Sequence, residues 1–146
     1  MLSNFVKARE NKDCLMDLVE KMPQPEITTL LLLIKPKMKE ILISSHKFCQ
    51  KFFERLRPEE RVCVLKEILP FFVVISLNKW GSISLQALIS FITLPEEEDL
   101  LLQSVRGNVS KLALNKYSNF VIQKLTQKIS GAKLPLWRLS LQKTAE

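Results

Sequence analysis

The segment LNKYSNFVIQKLTQKI (residues 114–129) decides the fold, because two earlier segments repeat its pattern. They are LNKWGSISLQALISFI (residues 77–92) and ISSHKFCQKFFERL (residues 43–56). Aligned on Gln50, Gln86 and Gln123, the three segments are separated by 36 and 37 residues. Self-similarity at a period of about 20–50 residues is typical of proteins built from stacked units. The sequence therefore predicts a repeat protein.

Apolar residues recur at fixed distances from each glutamine, which extends the match well beyond one position. A fainter copy, KDCLMDLVEKM (residues 12–22), lies over residues 46–56 at an offset of 34 and indicates a further unit before these three. The recurring apolar positions lie nine residues before the glutamine (Ile41, Leu77, Leu114), two after it (Phe52, Leu88, Leu125) and six after it (Leu56, Ile92, Ile129).

Helical signals run through every unit. Proline followed by acidic residues occurs at residues 25–26, 58–60 and 95–99, and this combination favours the first turn of a helix. In RPEERVCVLKEIL (residues 57–69) the apolar residues fall on one face at helical spacing, and Pro70 ends the helix. Residues 71–77 are rich in β-branched side chains, but the corresponding segments of the other units are not strand-like. We therefore expect a helix there as well.

The fold class predicted is all-α, a right-handed α-solenoid of about three to four units in which each unit buries an apolar face against its neighbours. A length of 146 residues fits a single helical-repeat domain, residues 1–146. The expected units are residues 1–24 (first), 25–57 (second), 58–94 (third) and 95–129 (fourth). Residues 130–146 are expected to form a C-terminal cap or tail.

Composition narrows the classes of function. Apolar runs are much shorter than the ~20 residues that span a bilayer, and no secretory signal is recognisable, so we expect a location in the cytoplasm or the nucleus. Three cysteines without CxxC spacing and a single histidine, His46, give no basis for a metal site. There is no Ser/His/Asp set and no glycine-rich phosphate loop, so neither an enzyme nor a cofactor is expected.

The net charge of +7 lies at the C-terminal end of the chain. Residues 1–105 contain 14 basic and 14 acidic side chains, whereas residues 106–146 contain eight basic residues and one acidic residue. A local excess of this kind attracts polyanions, although lysines on a solvated helix face give the same excess without a function.

The segment KYSNFVIQKL (residues 116–125) strongly resembles the RNA-reading helix of Pumilio (PUF) repeats, and the run KFFE (residues 51–54) also resembles these repeats. The resemblance covers residues 12–129.

The resemblance implies that each unit reads one base of single-stranded RNA. It assigns uracil to the fourth unit and adenine to the third. Because such arrays lay the RNA antiparallel to the protein chain, the implied sequence is 5′-UA-3′. In the second unit histidine and lysine depart from the pattern, and Lys12, Asp13 and Met16 of the first unit keep nothing that reads a base. The implied RNA-binding residues are Asn119, Phe120 and Gln123, then Ser82, Ile83 and Gln86, and His46, Lys47 and Gln50.

The spacing of these residues is physically suited to that role. Asn119 and Gln123 are four residues apart and so share one helix face, while Val121 and Ile122 turn towards the core. An amide pair can donate and accept, as the edge of a base requires. Phe120 can stack on a base.

Two functions remain open on the sequence alone. One is a short PUF protein that binds single-stranded RNA in messenger 3′ untranslated regions and controls translation or decay. The other is an α-solenoid that binds protein partners and has lost base-specific reading. The chain is expected to be either capped by its own C-terminal segment or a piece of a longer array.

Overall fold

The structure is a computed structural model that describes the backbone of residues 12–129 and the side chains of residues 16–129. This part of the chain contains no strand. Its ten α-helices are α1 Lys12–Lys21, α2 Gln24–Ile34, α3 Met38–Ser44, α4 His46–Arg55, α5 Pro58–Ile68, α6 Phe72–Leu77, α7 Lys79–Phe91, α8 Pro95–Val105, α9 Val109–Leu114 and α10 Ser118–Lys128.

From the second unit onward the helices fall into groups of three: α2–α4, α5–α7 and α8–α10. Short 3₁₀ turns, Lys35–Lys37 and Leu69–Phe71, separate the first two helices of the second and third units. Helix α5 ends at Ile68, just before Pro70 as predicted, because proline cannot supply the next backbone N–H. The β-branched segment is helical, as expected, over Phe72–Leu77. The α-solenoid prediction is confirmed, while the predicted residue bounds of the units stay a prediction.

The proline and acidic pairs do start helices. Pro58 and Pro95 occupy the first turns of α5 and α8. The carboxylate of Glu60 accepts a hydrogen bond from the backbone N–H of Arg57 at 2.8 Å, and Glu97 accepts one from Leu94 at 3.1 Å. Each acid thus satisfies a backbone donor that the helix itself leaves unpaired. The acidic clusters are helix caps.

The last helices of successive units, α1, α4, α7 and α10, pack side by side in chain order. Their inward faces supply much of the core, including Phe52, Phe53, Leu88 and Leu125, all fully buried. Polar bonds cross between the units as well: the Ser84 hydroxyl on α7 donates to the carbonyl of Leu42 at 2.7 Å. Because every unit buries its apolar face against the next, the array is held together by contacts between neighbours. The proposed cap, residues 130–146, lies outside the described residues.

Candidate nucleic-acid interface

The nine predicted RNA-binding residues lie on three adjacent helices, α4, α7 and α10, near the first turns of each. Equivalent register positions on packed helices place these residues along one surface. Their accessibility differs from unit to unit. Lys47, Gln50, Phe120 and Gln123 are exposed, His46, Ile83, Gln86 and Asn119 are half-buried, and Ser82 is buried.

Helix α10 presents the most complete set. The Gln123 side-chain amide donates to the Asn119 carbonyl oxygen at 2.9 Å, so the two amides lie in contact as their spacing predicts. The Asn119 amide in turn donates to the backbone carbonyls of Asn115 at 2.9 Å and Lys116 at 3.1 Å. These bonds fix the orientation of Asn119. The pair is therefore preorganised, which lowers the ordering cost of binding a ligand.

Phe120 lies beside this pair with half of its surface, 50%, exposed to solvent. The next two residues, Val121 and Ile122, are buried at 0% and 4%, so the predicted inward turn of these side chains is confirmed. A large exposed ring next to two amides offers both a stacking surface and hydrogen-bonding groups. Together they have the chemistry needed to hold a nucleobase.

Helix α7 differs at the equivalent place. The Ser82 hydroxyl donates to the backbone carbonyl of Tyr117 at 2.8 Å, and it accepts a hydrogen bond from the Gln86 side chain at 3.1 Å. Ser82 is only 2% exposed, because it lies against the chain that enters α10. Contact between Ser82 and a base stays a prediction. The amide of Gln86 is half-buried and so is more accessible than the hydroxyl of Ser82.

Helix α4 forms an aromatic contact that sequence reasoning missed. The imidazole of His46 stacks on the indole of Trp80, with ring centroids 4.9 Å apart and planes inclined by 16°. Trp80 belongs to the next unit and is 43% exposed. The available signal was the dipeptide Lys79-Trp80, which recurs in equivalent register as Lys116-Tyr117. In both dipeptides the lysine ammonium lies over the neighbouring ring, at 4.7 and 5.0 Å from the centroids.

The two dipeptides are positioned by the same local device. Asn78 accepts hydrogen bonds through its side-chain oxygen from the backbone N–H groups of Trp80 and Gly81. Asn115 does the same for Tyr117 and Ser118. Asparagine is favoured where a helix begins because its side chain satisfies donors that the first turn leaves free.

The charge along this row of helices is positive. Helices α7 and α10 contain the basic residues Lys79, Lys124 and Lys128 and no acidic residue. On α4, Lys47 is exposed. Lys51 forms an ion pair with Glu20, which lowers the pKa of that carboxyl through a hydrogen bond and through the charge of the ammonium. A surface with exposed rings, amides and uncompensated lysines suits a single-stranded polyanion.

Other site chemistries find little support in the described residues. Residues 12–129 contain no group of three metal-ligating side chains. Over the same stretch, the helices are too short or too polar to cross a membrane. Cys49 is buried and Cys63 is an exposed free thiol.

Residues 45–69 and 108–125 match the family described as Pumilio-family RNA binding repeat. Among curated proteins the chain is similar to two from Schizosaccharomyces pombe. It is 29% identical to Pumilio domain-containing protein C6G9.14 over 129 residues, which is 87% of this chain and 19% of that protein. It is 26% identical to Pumilio domain-containing protein C4G8.03c over 143 residues, 97% of this chain and 18% of that protein.

Two solved structures share the fold. One is a double mutant of Puf4 bound to the Cox17 RNA 3′ UTR recognition sequence, with a TM-score of 0.73 and 29% identity over 76% of this chain and 38% of that chain. The other is the Puf4 RNA binding domain bound to the HO endonuclease RNA 3′ UTR recognition sequence. Its TM-score is 0.67, with 26% identity over 81% of this chain and 42% of that chain. The chain thus spans about a fifth of the curated relatives' length and about two fifths of these structures. The chain is therefore similar to Pumilio (PUF) repeat proteins both in sequence and in its helical-repeat fold.

Proposed function

We propose that this chain binds single-stranded RNA on the surface formed by α4, α7 and α10. The observation that carries the proposal is the Gln123–Asn119 amide pair beside the exposed ring of Phe120. The similar Puf4 structures are complexes with RNA 3′ UTR recognition sequences, which supports the same class of ligand. The lysines of α7 and α10 supply attraction to the phosphate backbone.

The base preference proposed for α10 is uracil, read by Asn119 and Gln123 with Phe120 stacked on the base. For α7 it is adenine, read through Gln86 with Ser82 and Ile83 alongside. With the RNA antiparallel to the protein, the preferred dinucleotide is 5′-UA-3′. Few units read a base, so affinity is expected to be low for this chain by itself.

In the cell, we propose that the chain acts on messenger RNA 3′ untranslated regions in the cytoplasm, where it controls translation or decay. The side chains of α4, α7 and α10 can address a short sequence element through stacking, hydrogen bonds and charge. An effect on a transcript would therefore come from binding and from recruitment of other proteins.

The test is fluorescence anisotropy with labelled short RNAs that contain one UA step, at two salt concentrations. The Asn119→Ala plus Gln123→Ala variant should bind more weakly and lose the preference for uracil over cytosine at one position. Gln103→Ala is the matched control, since Gln103 is an exposed amide on α8, outside the row of reading helices. It should bind like wild type. Equal, sequence-blind binding by all three proteins would leave only electrostatic attraction and would refute base reading.

A second candidate function is that of a scaffold for protein partners. It is favoured by exposed apolar side chains outside the row formed by α4, α7 and α10. Leu32 on α2 is 67% exposed, Val74 on α6 is 54% exposed and Leu114 on α9 is 78% exposed. Large exposed apolar residues are typical of surfaces that contact other proteins when they are contiguous. Under this alternative Asn119→Ala plus Gln123→Ala leaves RNA binding unchanged. Leu32→Asp or Val74→Asp then abolishes binding of the protein partner.

A further inference from the structure

We propose that Trp80, stacked on His46 and flanked by Lys79, forms an additional stacking subsite for a nucleobase of single-stranded RNA. The subsite lies at the junction of α4 and α7, between the second and third units. It deepens the proposed function and rests on it. Trp80 does not occupy the register position of Phe120 and was not among the RNA-binding residues predicted from the sequence.

The second unit lacks a flat side chain at its own stacking position. The fourth unit has Phe120 there, whereas the equivalent residue of the second unit is Lys47, whose side chain has no ring. Trp80 of the following unit supplies a ring at the same junction, since its indole lies 4.9 Å from the imidazole of His46. His46 itself holds the register position of Asn119, so the indole borders the surface on which bases are expected.

The same neighbour relationship recurs one unit further along. Tyr117 holds the register position of Trp80, and its backbone carbonyl accepts a hydrogen bond from Ser82, which holds the register position of His46. The contact between these two register positions is therefore a property of how successive units pack. At Trp80 the ring itself makes this contact, because the indole stacks on His46 of the preceding unit. Trp80 is more exposed than Tyr117, and we place the subsite at Trp80.

The surroundings of Trp80 suit a nucleotide. The indole is 43% exposed, which leaves ring surface that solvent reaches. The Lys79 ammonium lies 4.7 Å from the ring centroid on a long, exposed side chain. An ammonium over an exposed ring is held more weakly than a stacked base, so a base can displace it. The displaced ammonium is then free to pair with the phosphate of the same nucleotide.

The experiment uses intrinsic fluorescence and affinity together. The chain has two tryptophans, so a Trp137→Phe background leaves Trp80 as the only tryptophan, whose emission is excited separately from that of Tyr117. Titration with a short single-stranded RNA should quench this emission, because a stacked base contacts the indole directly. By anisotropy, Trp80→Leu should bind the same RNA about 5- to 150-fold more weakly, and Trp80→Phe should retain most of the affinity.

An abasic scan locates the contact. Replacing one nucleotide at a time by an abasic residue should reveal a position whose loss weakens wild type but not Trp80→Leu. Phe71→Leu is the matched control, because Phe71 is 40% exposed and carries the Lys39 ammonium 4.8 Å from its ring, but lies in the turn between α5 and α6. It should leave the affinity unchanged.

The outcomes separate the two claims. RNA binding that depends on Asn119 and Gln123, with no quenching of Trp80 and with Trp80→Leu equal to wild type, overturns the subsite and leaves the proposed function standing. Absence of any RNA binding by the wild-type chain overturns both. Equal losses in Trp80→Leu and Phe71→Leu also overturn the subsite, since the effect would then follow any exposed lysine-aromatic pair.

Discussion

Arg61 and Glu97 form a buried ion pair that joins the third unit to the fourth. The guanidinium Nε lies 2.9 Å from a carboxylate oxygen, and the two side chains are 6% and 0% exposed. Arg61 also donates to the carbonyl of Leu56 at 2.9 Å, while Glu97 accepts from the backbone N–H of Thr93 at 3.1 Å. Both charges are thus hydrogen-bonded on several sides, as buried charges must be. The pair links the first helices of two adjacent units, α5 and α8.

Removing one partner of this pair should destabilise the array strongly. Arg61→Ala leaves the Glu97 carboxylate buried without its counter-charge, and we expect the free energy of unfolding to fall by about 3–5 kcal/mol. Lys66→Ala is the control, since Lys66 and Glu96 form an exposed pair at 3.9 Å that contributes at most about 1 kcal/mol. Urea unfolding followed by circular dichroism measures both. Losses of equal size would show that burial of the Arg61 pair adds nothing.

The fold was largely predictable because its signals are local or periodic. The glutamine register, the proline–acid helix starts at residues 58–60 and 95–99, and the apolar spacing each act within one unit. They gave the helices, the repeat length and the inward turn of Val121 and Ile122. Residues 71–77 are rich in β-branched side chains, which favour a strand. Comparison with the corresponding segments of the other units predicted a helix there, and this prediction is confirmed.

The details of the site were less predictable because they depend on how one unit sits on the next. The burial of Ser82 follows from its bond to Tyr117, 35 residues further along the chain. The stack of His46 on Trp80 likewise joins two units. Sequence periodicity shows that these positions recur but gives neither the distance nor the tilt between stacked helices. Contacts across that junction therefore require coordinates.

Gly81 should not tolerate a larger residue. A Cβ atom at this position would lie 2.3 Å from the backbone oxygen of Ile75, where helix α6 approaches α7. We expect Gly81→Ala to lower the free energy of unfolding by about 1–3 kcal/mol, because the steric conflict exceeds the gain in helix propensity. The equivalent position of the fourth unit is Ser118, whose hydroxyl donates to Leu112 at 2.7 Å.

Ser118→Ala is the matched control for Gly81→Ala. It loses one hydrogen bond and introduces no new atom, so a smaller change of about 1 kcal/mol is expected. Thermal or urea unfolding of the two variants gives the comparison. A Gly81→Ala protein as stable as wild type would mean that the approach of α6 to α7 is looser than the structure has it.

The thiol of Cys49 should be unreactive in the folded protein. Burial raises its pKa to about 12, and the Ser84 hydroxyl only partly offsets this. The thiolate is the reactive form, so alkylation at pH 8 should modify exposed Cys63 and spare Cys49 until urea unfolds the chain. Peptide mass spectrometry in a Cys14→Ser background identifies the modified site. Equal alkylation of Cys49 and Cys63 in the native protein would contradict the burial of α4 against α7.

The same raised pKa links Cys49 to stability at alkaline pH. Between its unfolded value of about 9 and its folded value of about 12, the folded state retains a proton that the unfolded state has lost. The contribution to stability is therefore complete below pH 9 and is lost as the pH rises towards 12. The difference in free energy of unfolding between wild type and Cys49→Ala should shrink over that window. A difference that is constant with pH would contradict this linkage.

Glu60 gives the opposite dependence, at acidic pH. Burial alone would raise its pKa, but hydrogen bonds from Thr28 and from the backbone and side chain of Arg57 outweigh burial and lower the pKa below 4.5. The folded state therefore favours the carboxylate, and the stability that this gives is present above pH 4.5 and lost as the pH falls through the folded pKa. The stability gap between wild type and Glu60→Gln should narrow as the pH falls. A gap that stays constant as the pH falls would contradict this linkage.

Phe120 tests the reading surface without disturbing the fold. Half of its ring is exposed, so Phe120→Ala should change the free energy of unfolding little. If the ring stacks on a base, the same substitution should weaken RNA binding by about 1–3 kcal/mol. Leu114→Ala is the control. Leu114 is 78% exposed on α9, and its substitution removes a similar apolar group outside the row formed by α4, α7 and α10. Anisotropy titrations of wild type and the two variants measure the RNA affinity of each. A loss of affinity in Leu114→Ala as large as that in Phe120→Ala would assign the effect to non-specific apolar contact. A loss of affinity confined to Phe120→Ala places the base on α10.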